Sequence, residues 1–188
     1  MNITRAVVAS ASFALLSDAT AGLTQWRVED GGNDHWYALI SASGGITWTD
    51  AQAAAAAQGG YLGTITSPQE NAFVFNLISS SGGWGNPWVG GFQPDPASKP
   101  DQGWAWVTGE AWYYTNWAAG EPNDWGGIFG AENYLGFRRS DGTWNDLPNQ
   151  GDGGATFSYV IEFGAVPAPS AASLIALAGL TARGRRRK

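Results

Sequence analysis

Cysteine is absent from this chain, and its 188 residues include a single His, a single Met and only 10 Lys and Arg. Without thiols there are no disulfides, so any case for export rests on the ends of the chain. Zinc and copper are bound by imidazole or thiolate, and the chain offers only His35. A solitary His with no nearby nucleophile reads as structural. Between residues 22 and 166 the basic residues are Arg27, Lys99, Arg138 and Arg139, set against fifteen acids, a balance of −11 where the whole chain carries −6. Such a domain has no basic face to meet phosphate, which sets nucleic acid aside as a partner. The acidity favours solubility, and a site that gathers a cation would also produce some of it.

Gly and Trp are plentiful, at 27 and 11 residues, and every Trp lies between Trp26 and Trp144. This composition points to one loop-rich domain whose core and pockets are built from large aromatics. The ends have a different character. Residues 1–21 read as a secretory signal: Arg5 is followed by the apolar run Ala6–Leu16 and the small-x-small site Ala19-Thr20-Ala21. The mature chain is expected to start at Gly22, with the domain over 22–165 and a separate tail over 166–188. The tail has a Pro-rich hinge, Val166 to Ser170, an apolar run, Ala171–Ala182, and a basic end, Arg183 to Lys188. The apolar run is at the short end for crossing ~30 Å of hydrocarbon, and the cationic end favours the cytoplasmic side.

Within the domain, Gln25–Val28 and His35–Ile40 read as strands around a Gly31-Gly32-Asn33 turn. Thr47-Trp48-Thr49-Asp50 is a capping box that opens a helix over Trp48–Gln58, stopped by Gly59-Gly60. Tyr61–Thr66 reads as a short strand. Ser67-Pro68-Gln69-Glu70 opens a second helix running through Ile78, with Phe73, Val74, Leu77 and Ile78 as its buried stripe. Asn133–Phe137 and Tyr159–Phe163 read as closing strands.

The chemistry is concentrated in Glu121–Asp146, which begins Glu121-Pro122-Asn123, has an isolated Glu132 and ends Trp144-Asn145-Asp146. Three carboxylates and two carboxamides in one turn-rich stretch are hard oxygen donors, and calcium takes ~6–8 of these in flexible geometry. Glu121 and Asn123 are two apart, so an extended segment presents both on one face. Pro122 between them permits a cis bond, which would turn both oxygens inward. Glu121 and Glu132 are also a conceivable glycosidase acid–base pair, although no substrate-cleft signature accompanies them.

The order EPN, a lone Glu, then WND resembles the primary calcium and sugar site of the C-type lectin domain. The two helices, Trp88-Val89-Gly90-Gly91 at the place of the family's WIGL strand, and Trp112–Trp117 leading into EPN extend the resemblance over residues 26–163. It implies an α+β fold, two helices packed on antiparallel β-sheets with a long calcium-organised loop region, and a non-enzymatic function. It also implies calcium held by Glu121, Asn123, Glu132, Asn145 and Asp146, with a glycan's vicinal hydroxyls completing the shell on the same residues. The EPN form goes with mannose- and glucose-type ligands. Trp125, in a lengthened loop, either stacks on a pyranose or packs onto the domain. Asp124 is a candidate ligand for an auxiliary calcium, with Asp95 and Asp101 as further candidates. Gln93-Pro94-Asp95 spells the galactose-type tripeptide but precedes Trp104–Glu110, the wrong side for the specificity position, so it reads as a surface turn. The missing cysteines are similar to bacterial members of the fold. The tail resembles a PEP-CTERM sorting signal, with Ala168 where that motif carries Glu. This implies processing by an exosortase-type enzyme, transient membrane contact through the tail, and a place at the cell envelope or in the extracellular matrix. The alternative on the same fold is a protein-interaction or structural module of the envelope.

Overall fold

In a computed structural model of the chain, residues 22–81, 85–96, 98–125, 128–151 and 156–164 are described. They fall within one compact unit, Gly22–Val166. The leader read at 1–21 and the tail read at 166–188 lie outside the described residues.

Both helices start where their caps require. Thr47 Oγ1 accepts from Asp50 N at 3.1 Å and opens α1, Trp48–Ala57, with Gln58 as its C-cap. Ser67 Oγ accepts from Glu70 N at 3.1 Å and opens α2, Pro68–Ser80. The second helix runs two residues past Ile78. Ser79, Ser80 and Ser81 bond back to the carbonyls of Asn76, Leu77 and Ile78, which satisfies the last turn. Val74 and Ile78 are fully buried, while Phe73 and Leu77 are half-buried against the core.

The strands differ more from expectation. In place of Gln25–Val28, β1 is only Thr24–Gln25, and Val28–Asp30 form a 3-10 turn ended by left-handed Gly31. Asp34 Oδ1 takes the Val28 N–H at 2.9 Å, which removes it from any ladder. β2 spans Trp36–Ile46, beyond the expected Ile40, because its partner β8, Thr156–Phe163, is itself longer than Tyr159–Phe163. β3 stops at Tyr61–Leu62, short of the expected Thr66. Gly63 N still reaches Val160 O at 2.9 Å, but the N–H groups of Thr64 and Thr66 go to carboxylates, Glu162 at 2.8 Å and Glu70 at 2.7 Å.

β4, Trp88–Phe92, β5, Ala105–Trp106, β6, Tyr134–Phe137, and β7, Trp144–Leu147, complete an eight-stranded sheet. Its order is β1-β2-β8-β4-β6-β7, with β3 on β8 and β5 on β4. All pairings are antiparallel except β4 with β8, so the sheet is mixed rather than purely antiparallel. Alternate strand residues point to opposite faces, and the core divides accordingly. Val89 and Val160 join Val74, Ile78 and Trp144 from the α2 side, while Trp88 and Ile161 join Trp48, Ala51 and Ala55 from the α1 side. The fold class is therefore α+β, with one helix packed into each half of the core.

Candidate metal and ligand site

The two ends of Glu121–Asp146 meet because the main chain pairs them. Trp144 N donates to Asn116 O at 2.8 Å and Ala118 N to Trp144 O at 2.9 Å, a parallel bridge between Trp117 and Trp144. Glu121 N turns back onto Ala118 O at 3.0 Å. Behind this junction Trp104, Trp106, Trp112, Trp117 and Trp144 form a packed aromatic cluster, with Trp112 4.5 Å from Trp106 between ring centroids. Trp144 is fully buried and donates its indole N–H to Asn71 Oδ1 at 2.8 Å. The Trp-rich composition is thus the platform that holds the two arms of the site side by side.

On that platform the Glu121–Pro122 peptide is cis. Asn123 donates its side-chain amide to Glu121 Oε2. Asp146, fully buried in β7, accepts from Asn123 N at 3.1 Å and from Asp124 N at 2.8 Å. Its carboxyl is also within hydrogen-bonding reach of Glu121. The Asn145 carboxamide faces the Glu121 carboxylate. With its nitrogen turned inward it donates to Oε1 at 2.9 Å and Oε2 at 3.2 Å. With its oxygen inward, the oxygens would need a cation between them. Glu132, only 8% exposed, accepts from Trp125 N at 2.8 Å. The structure thus brings Glu121, Asn123, Asn145 and Asp146 into direct contact and joins Glu132 to them through Trp125 N.

Asp124 has φ +47° and accepts from Glu132 N at 2.9 Å, bracing the loop from inside. The Trp125 ring is 78% exposed, so it does not pack onto the domain. Asp95 and Asp101 are exposed on the loop after β4. The Gln93 side chain, by contrast, is buried and donates to Lys99 O at 3.0 Å and Gln102 O at 2.7 Å. It braces its own loop and presents no ligand.

Electrostatics identifies what this cluster lacks. Burial raises Glu121, and the neighbouring Asp146 raises it further, with only Arg138 opposing. Burial and Asp146 push Glu132 up to about 7. Burial also raises Asp146, against the pull of the N–H groups of Asp124 and Asn123. Three crowded carboxylates held above their ordinary range gain from a cation, and an all-oxygen set of acids and amides fits calcium. Among the described residues, no group of three or more His, Cys, Asp or Glu is arranged to hold a metal. Two of the five candidate ligands are Asn, and the Asp146 and Glu132 carboxylates are turned onto main-chain N–H groups.

A second polar cluster was not legible beforehand. Glu162, 1% exposed, is bonded to His35 Nδ1 at 2.6 Å, Thr64 N at 2.8 Å and Tyr37 OH at 3.1 Å. Tyr37 OH also donates to buried Glu70 at 2.6 Å. An acid inside the apolar run Tyr159–Phe163 was the available signal. His35 is accordingly structural, tying β2 to β8.

Residues 45–152 match the family described as the Lectin C-type domain. Ladderlectin of Oncorhynchus mykiss is 34% identical over 82 residues, 43% of this chain and 41% of that protein. The human C-type lectin domain family 10 member A is 29% identical over 134 residues, 69% of this chain and 37% of that protein. The chain spans less than half the length of these two relatives. Both are animal proteins, so neither supports a bacterial affiliation. Among solved structures, human lithostathine superposes with a TM-score of 0.59 at 26% identity, covering 76% of this chain and 96% of that one.

Proposed function

The chain belongs to the C-type lectin domain family, and from that premise we propose that it binds mannose- or glucose-type glycans in a calcium-dependent manner. One observation carries the reading. Glu121, Asn123, Asn145 and Asp146 converge from two distant segments, with Glu132 beside them, as an oxygen-only set whose three carboxylates are all raised. Calcium at this set would offer coordination positions to a pair of vicinal equatorial hydroxyls. The residues would do the rest. The three carboxylates supply charge, and Asn123 and Asn145 each present an oxygen to the ion or an N–H to a hydroxyl. Asp146 also holds Asn123 and Asp124 in place through their N–H groups. Trp125, exposed at the rim, is placed to stack on an apolar pyranose face. Asp124, whose carboxylate accepts from Glu132 N, would be the ligand of an auxiliary calcium.

Export belongs to the same reading. The leader at 1–21, the PEP-CTERM-like tail at 166–188 and the missing cysteines support a bacterial-type member delivered to the envelope or matrix after exosortase-type processing. A second reading, an interaction or structural module, is favoured by one observation: hydrogen bonds alone already close the 121–132 loop.

The test is a specificity exchange. Glu121→Gln with Asn123→Asp should move binding on a glycan array from mannose-like towards galactose-like sugars, and chelation should abolish binding for both proteins. Unchanged glycans after the exchange, or binding that survives chelation, would remove the lectin reading and leave the interaction module.

A further inference from the structure

Six large hydrophobic side chains are exposed among the described residues, and three of them lie in one short stretch: Trp125 at 78%, Ile128 at 92% and Phe129 at 43%. Scattered exposed apolar residues are ordinary, but a cluster on one loop marks a contact surface. This loop is not a loose end. Glu132 N donates to Asp124 Oδ1 at 2.9 Å while Trp125 N donates to Glu132 Oε2 at 2.8 Å, a reciprocal pair that ties the base of the tip together. Trp125 N also donates to Asn123 Oδ1 at 2.7 Å. The apolar tip is therefore pinned to two side chains of the oxygen cluster, and polar and apolar surfaces sit next to each other on one edge.

The chemistry of the tip narrows what it meets. From Trp125 to Ala131 the sequence is Trp-Gly-Gly-Ile-Phe-Gly-Ala, with no charged, hydroxyl or amide side chain. Apart from the single indole N–H of Trp125, a free saccharide beyond the first ring finds no hydrogen-bonding side chain there. Ile128 and Phe129 gain by leaving water for an apolar surface, worth roughly 1.5–3 kcal/mol for each fully buried side chain, and the surface nearest a bound sugar is the hydrocarbon to which that sugar is joined. The surrounding charge excludes one kind of hydrocarbon surface. Residues 22–166 carry fifteen acids against four basic residues, and Arg138, the cation acting on Glu121, is itself paired with Asp141 at 3.5 Å. An anionic lipid surface would be repelled, whereas a neutral one would not.

We propose that the site takes its saccharide from a neutral glycolipid, with the sugar hydroxyls at Glu121, Asn123, Asn145 and Asp146, the Trp125 ring against the sugar, and the side chains of Ile128 and Phe129 entering the hydrocarbon beside it. The proposal rests on the lectin reading above and adds the class of ligand. The tip supplies affinity that a soluble sugar cannot draw on, and the oxygen cluster supplies selection.

Residues 22–166 suffice for the test, because both cores and all eight strands lie inside them. The probes are neutral phosphatidylcholine vesicles carrying a mannosyl diacylglycerol, the same vesicles without it, and free methyl α-mannoside, all in calcium. The variant is Ile128→Ser with Phe129→Ser, two exposed positions outside the oxygen cluster. The variant should lose roughly tenfold or more in affinity for the glycolipid vesicles and stay within about twofold on the free mannoside. Plain vesicles should bind neither protein. Equal vesicle binding by wild type and variant would overturn the proposal, as would equally strong binding to plain vesicles. A dimer of residues 22–166 that the variant abolishes would overturn it too, assigning the tip to a second copy. Failure of the wild type to bind free methyl α-mannoside would instead bring down the lectin reading, and the glycolipid proposal with it.

Discussion

Asp146→Asn removes one charge where the two arms of the site meet while keeping the side-chain shape. Asp146 accepts from two main-chain N–H groups, Asn123 at 3.1 Å and Asp124 at 2.8 Å. Both N–H groups reach Oδ2, so an asparagine with its oxygen there still accepts from both, but the two bonds lose their charge assistance, a loss of about 1–2 kcal/mol. Against this stands relief from burial and from crowding by Glu121 and Glu132, the direction in which all three carboxylates are already raised. The two effects oppose each other, and calcium-free stability should change by no more than about 1 kcal/mol, or roughly 2–4 °C. Calcium is a different matter. A site filled at a hundred times its dissociation constant stabilises the fold by about 2.7 kcal/mol, which is roughly 5–11 °C for a domain of this size. The assay is thermal melting of residues 22–166 in chelator and in a calcium series, paired with calorimetry. Wild type should show the full rise and the variant almost none. A variant that keeps the rise would refute the assignment of Asp146, and a wild type without one would remove calcium from the mechanism.

The pH dependence follows from the same crowding. Glu132 is pushed from its ordinary 4.5 to about 7, so its folded value lies above its unfolded one. It therefore stabilises the calcium-free protein fully below about pH 4.5, and that contribution is lost as pH rises through about 7. Calcium needs ionised ligands, so its affinity should rise over the same window; melting curves in chelator and in calcium between about pH 5 and 8 should slope in opposite directions. Tyr37→Phe removes the hydroxyl shared by buried Glu70 and Glu162 and should cost about 1–3 kcal/mol in urea denaturation, with calcium affinity unchanged. Gly90→Ala places a Cβ 2.6 Å from the Leu62 carbonyl oxygen and 2.8 Å from Val107 Cγ2. It should destabilise by about 1–3 kcal/mol, and an unshifted urea midpoint would mean that β3 and β4 sit farther apart than described.

Much of the architecture was legible because it is governed by contacts a few residues apart. Thr47 and Ser67 each reach the N–H three residues on, and both helices begin where those residues stand. Strand lengths were less legible. β2 runs to Ile46 because β8 lies beside it from over a hundred residues away, and β3 does not reach Thr66 because Glu162 and Glu70 take the N–H groups of Thr64 and Thr66. The polar cluster around Glu162 draws on β2, β3, α2 and β8 together, so no single window of sequence contains it.

The division is sharpest at the site. The sequence by itself determined the kind of chemistry: five oxygen-bearing side chains and no soft ligand near them, with Pro122 between the first two. Whether these residues meet was decided by the tertiary structure, through the Trp117–Trp144 bridge and the aromatic cluster beneath it. The same structure decided that Glu132 is buried while Trp125, Ile128 and Phe129 are left in solvent. Side-chain chemistry belongs to each residue alone, whereas burial and convergence depend on segments that only packing brings together.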